Sequence, residues 1–178
     1  MGKEAFKITG TVEKEQMVDQ ARCGARQFAM LYFHFVKVLY ESFGRDKAKE
    51  LVQQAVFEQA VDRSDIIKQK ANALGKDATL ETWRELSDLP KAGWVPEWGE
   101  DHCPYAEVWR GYIAQYPWFL EFATFYCDVI DTTTIENFSG CLSHRITENV
   151  IVEGDSCRRE YFESEDVKKG HLTYARKA

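Results

Sequence analysis

Between Phe125 and Cys157 the chain gathers thiols, carboxylates, an imidazole and a guanidinium: Cys127, Asp128, Asp131, Cys141, His144, Arg145, Glu153, Asp155 and Cys157. Three of the five cysteines fall there. A deprotonated thiol can attack an electrophilic carbon, and a carboxylate or imidazole can carry the proton. A guanidinium can grip a carboxylate through two parallel hydrogen bonds. Together these groups supply what a small-molecule active site needs, although the same residue types also serve as packing and surface.

What positions them is read from periodicity. From Lys14 to Phe43, apolar residues recur at helical spacing and Gly44 supplies a stop, which predicts a long amphipathic helix. Asp46 offers the N-cap of a second helix that runs to Gly75, with a bend expected near Asp62-Arg63-Ser64. A short helix fits Thr79 to Ser87, capped by Thr79. Residues 90–104 form an aromatic, breaker-rich segment whose Trp94 and Trp98 must bury their rings, either closing the core or walling a substrate site. Helix resumes at Pro104 and again at Pro117, the latter reaching about Ile130.

On this last helix Trp118, Phe119, Phe122, Phe125, Tyr126, Val129 and Ile130 make the apolar stripe. Thr124, Cys127, Asp128 and Asp131 fall on the opposite face, as a polar pocket or as solvated surface. After Gly140 the alternation becomes that of strands. Leu142, His144, Ile146 and Glu148 share one face, Val150-Ile151-Val152 prolongs the β character, and Arg158 to Glu163 returns. The expected fold class is α+β: a helical N-terminal half, then a helix followed by a small antiparallel sheet. One domain is expected over 1–178, with its core in 14–165 and a tail from 166.

The formal charge of −6, from 29 acidic and 23 basic residues, gives no general attraction to nucleic acid or anionic lipid. No run approaches the length of a membrane span, and the polar start lacks an export signal, so a cytoplasmic protein with reduced thiols is expected. Neither CxxC nor HExxH spacing occurs, so no metal and no cofactor is expected, zinc being the competing chemistry for the cysteines, His102 and His144.

Tyr126-Cys127-Asp128 near a helix end, a strand through His144-Arg145, and Glu153-Gly154-Asp155-Ser156-Cys157 before an aromatic strand resemble the L-2-amino-thiazoline-4-carboxylic acid hydrolase family. Asp62-Arg63-Ser64 through Leu74-Gly75 and the Trp-containing segment are similar as well, so the resemblance covers about residues 20 to 165. One residue separates Asp155 from Cys157, where the family form has two. The resemblance implies hydrolysis of a non-peptide C–N bond in a cyclic amidine bearing a carboxylate. On that basis Cys157 is the first candidate nucleophile and Cys127 the second. His144, Asp155 and Asp128 are candidate proton carriers, Arg145 the carboxylate anchor, and Trp94, Trp98 and Tyr126 substrate contacts. Two other readings stay open: a non-catalytic small-molecule sensor of the vinyl-reductase-like type, and an interaction domain that forms a homo-oligomer through its long first helix.

Overall fold

The computed structural model describes residues 11, 13–86, 88–89, 91–94 and 103–175. Helices α1 (Lys14–Phe43) and α2 (Arg45–Ala73) fold back on each other at the single residue Gly44. Its φ of 76° lies where a side chain is disfavoured, and its N–H caps the carbonyl of Tyr40. Val18, Arg22, Ala25, Ala29, Tyr32, Phe33 and Val36 of α1 are buried at three- and four-residue spacing, the stripe a core-facing helix needs. The buried line of α2 is narrower and rich in small residues (Ala48, Ala60, Ser64, Ala71), which lets its backbone approach α5 (Phe119–Ser139) closely.

Between these come α3 (Leu80–Glu85), a 3₁₀ turn over Lys91–Trp94, and α4 (Pro104–Gln115). Thr79 Oγ1 accepts from Thr82 N at 3.2 Å, the expected cap of α3, and Pro104 opens α4. The chain ends with strands β1 (Leu142–Glu148) and β2 (Arg158–Glu163) and a turn of helix α6 (Glu165–Lys168). Six helices and one two-stranded antiparallel sheet, among the described residues, make the fold α+β. No helix among them is long and apolar enough to cross a membrane.

Helix α5 lies between α2 and the sheet and is buried on most sides. Trp109 of α4 is fully buried, and its indole donates to Ala29 O at 2.9 Å; Tyr32 Oη donates to Phe122 O at 2.9 Å. Both aromatic residues thus bury their rings with the polar end satisfied. A two-stranded ribbon has little stability alone. Here two successive residues of β1 tie it to α5: Ser143 Oγ donates to Glu136 Oε1 at 2.6 Å, and His144 Nδ1 lies 3.2 Å from Thr132 Oγ1.

Several expectations give way to tertiary contacts. Gly44, not Asp46, precedes the first residue of α2, and α2 runs unbroken through Asp62-Arg63-Ser64. Helix α5 does not stop near Ile130 but continues nine residues to Ser139, because Thr132, Thr133 and Thr134 are buried, and burial overrides their weak helix propensity. Val150-Ile151-Val152 is a turn, not strand: Val150 and Ile151 are buried, and Ile151 N is held by Asn149 Oδ1 at 3.0 Å. The segment expected to trail from residue 166 is docked through residue 175. Val167 is buried, Thr173 donates through N (2.8 Å) and Oγ1 (2.6 Å) to the fully buried Glu136, and Tyr174 O accepts from Gln53.

Candidate functional site

A cavity of about 230 Å³ lies where α2, the 3₁₀ turn, the start of α4, α5 and the β1–β2 connection meet. Helix α5 contributes Tyr126, Cys127, Ile130 and Asp131, positions that share one face at 100° per residue. The start of α4 adds Cys103 and Tyr105, the 3₁₀ turn adds Trp94, and α2 adds Arg63. The connection after β1 folds Val150 and Ile151 inward, and Cys157 and Arg159 follow on one side of β2.

Two guanidinium groups therefore reach the wall, each already held by a carboxylate. Arg63 donates to Asp88 through Nε at 2.6 Å and Nη2 at 3.0 Å. Arg159 donates to Asp131 Oδ2 through the same two nitrogens, at 3.0 and 2.8 Å. Burial alone would lower the pKa of either arginine, but the carboxylate partner more than offsets it, and both are raised. A guanidinium carries five N–H donors, and these carboxylate pairs engage two nitrogens of each arginine.

Three thiols line the same cavity, in different environments. Burial pushes Cys127 well above the ordinary thiol range, with the nearby Asp131 carboxylate adding to the effect. Cys103 is raised as well, by burial, with the amides of Ala106 and Tyr105 working against it. Both are neutral at physiological pH. Cys157 Sγ accepts a hydrogen bond from Val150 N at 3.4 Å and lines the same wall as Arg159. The phenols of Tyr105, pushed up to about 12 by burial, and Tyr126, raised well above 10, are donors rather than anions at pH 7. Trp94 stands edge-on to Tyr105, with ring centroids 5.6 Å apart. Its turn is fixed by Arg22, which is buried in an ion pair with Glu107 and donates to Gly93 O at 2.9 Å. A Cβ at Gly93 would stand 3.3 Å from that of Ala21, so the turn lies tight against α1.

Of the expected site residues, Cys157, Cys127, Trp94 and Tyr126 come together here. Arg145 does not: it lies on the outer face of the ribbon, exposed, paired with Glu160 at 2.6 Å and over the ring of Phe162. His144 faces the opposite way, into the α5–sheet interface, and lines no wall of the cavity. Asp155 is exposed in the connecting turn, and Asp128 is half-buried one step round α5 from the cavity face, its pKa raised by burial and by Asp131. Trp98, like His102, lies outside the described residues. All five cysteines are free thiols, and no cluster of metal-ligating side chains occurs among the described residues.

The groups that sequence reasoning missed are Arg159, Arg63, Cys103 and Tyr105. Strand alternation from Cys157 carried the signal for the first, since residues 157, 159 and 161 share a face. No family model matches the chain, and neither a curated protein nor a solved structure matches it.

Proposed function

We propose that the cavity binds a small carboxylate-bearing heterocycle of the cyclic amidine class and opens its ring by hydrolysis, as the resemblance to the thiazoline-carboxylate hydrolases implies. The observation that carries this reading is the convergence of Cys157, Arg159 and Arg63 on one largely apolar cavity. In this mechanism the Cys157 thiolate attacks the ring carbon between the two heteroatoms. A phenol of Tyr105 or Tyr126 protonates the departing ring atom, and water releases the carbamoyl product from sulfur. The Val150 amide donates to Sγ, and Arg159 lines the cavity with it. The carboxylate is held by Arg159 and Arg63, which line the cavity, and not by Arg145, which lies on the far side of the ribbon.

One observation favours the non-catalytic sensor as a second reading: two of the three thiols are kept protonated by burial. A panel of thiazoline, imidazoline and hydantoin carboxylates separates the two. Mass spectrometry should detect a product that has gained one water, and Cys157→Ser should lower turnover by orders of magnitude, whereas Cys127→Ser should not. Tight binding without any such product would replace the hydrolase with the sensor.

A further inference from the structure

Beyond Trp94 the site does not end. A second hollow, of about 370 Å³, shares Arg63, Leu89, Trp94, Tyr105 and Tyr126 with the inner cavity and opens toward α1. It shares Phe28 and Gln59 in turn with a third hollow of about 370 Å³, a groove between α1 and α2. The groove is floored by buried Tyr32, Val36, Val52 and Val56, and its rim carries Leu31 and Phe35, which are 56% and 63% exposed. From Gln20 to Leu39 this path follows α1 for about 28 Å at the α-helical rise.

We propose that the ligand is an amphipathic carboxylate, with its head at Arg159 and Arg63 and an apolar chain that passes Trp94 into the α1–α2 groove. The proposal deepens the carboxylate-site reading above and rests on it for the head group alone. Charge and shape select this occupant. The arginines that line the path lie at its inner end, whereas the outer groove presents apolar side chains and Gln59. A linear molecule with one anionic end matches both. A helix from a second copy of the chain would cover the groove without entering the inner cavity, where Arg63 and Arg159 stand with their Asp88 and Asp131 partners. Leu31 and Phe35, exposed among the described residues, are accounted for as walls for the chain.

Unbranched saturated acids from butanoate to dodecanoate, each kept below its micelle concentration, test the proposal by calorimetric titration of the full chain. Affinity should rise about fourfold per added methylene until the groove is filled. The matching alcohols should bind far more weakly, and Arg159→Gln should weaken every acid by a similar factor. Phe35→Asp, at an exposed position, should keep the melting midpoint and flatten the ladder. If the short acids bind and lengthening adds nothing, the extension falls while the carboxylate site stands. If no acid binds, the carboxylate reading itself falls. A concentration-dependent dimer that Phe35→Asp dissociates, together with a flat ladder, would assign the groove to a second copy instead.

Discussion

Glu136→Gln tests how the C-terminal segment is held. The wild-type carboxylate has no exposure and accepts three hydrogen bonds, from Ser143 Oγ, Thr173 Oγ1 and Thr173 N. Its Oε2 meets a backbone N–H, which can only donate, so a glutamine must place its oxygen there. Its NH₂ then faces two hydroxyls, both of which can rotate and accept. No group is orphaned, but all three bonds lose charge assistance, for a cost of about 2 kcal/mol. For a chain of this size that corresponds to a fall in melting temperature of about 4–8 °C. Glu136→Leu goes further, removing every acceptor and leaving the Thr173 amide without a partner, at about 4 kcal/mol. Thermal melting followed by circular dichroism should give that ranking. Limited proteolysis should show cleavage beyond residue 163 rising in the same order. A leucine variant as stable as wild type would refute the reasoning, since it would mean that desolvating the carboxylate costs as much as its three bonds return.

Alkylation at mildly alkaline pH, followed by peptide mass spectrometry, should label exposed Cys23 first and Cys127 last, because burial keeps the Cys127 thiol protonated. Equal rates at the two positions would contradict the burial of the Cys127 thiol. His144 should set part of the acid stability. Burial lowers its pKa, so above about pH 6.5 the ring is neutral in folded and unfolded chains alike and its contribution is fully present. As the pH falls below that value the unfolded ring takes a proton that the folded ring resists, and stability declines until the folded pKa is passed. Denaturant midpoints of His144→Gln measured between neutral and acid pH should therefore fall less steeply than wild type. A parallel profile would remove His144 from the account.

The helices were legible where periodicity and a stop signal agree, as at Lys14–Phe43 with Gly44. They were not legible where burial decides. Thr132 to Thr134 have weak helix propensity, yet α5 carries them because its sides are covered by α2 and the sheet. The apolar run Val150-Ile151 has the composition of a strand, but its hydrophobicity serves the cavity wall. Two of the three thiols of the site, Cys127 and Cys157, could be found from their clustering. Its strand cation needed more than clustering: Arg145 and Arg159 both sit on strands, and only parity with Cys157 favours Arg159. Arg63 lay hidden because an arginine on a helix is ordinarily surface, and only the Asp88 carboxylate, twenty-five residues further on, makes its burial tolerable.

The cavity takes its walls from residues between Arg63 and Arg159, supplied by five separate segments of the chain. No partly folded form that lacks α2 or β2 can retain it, so a ligand that occupies it recognises only the complete fold. Binding free energy should then appear undiminished in global unfolding. At a free concentration a hundredfold above its Kd, a ligand adds about 2.7 kcal/mol to stability, a rise in melting temperature of about 5–10 °C. Melting temperature thus becomes a direct gauge of occupancy, and a compound library can be ranked by heating alone before any reaction is assayed.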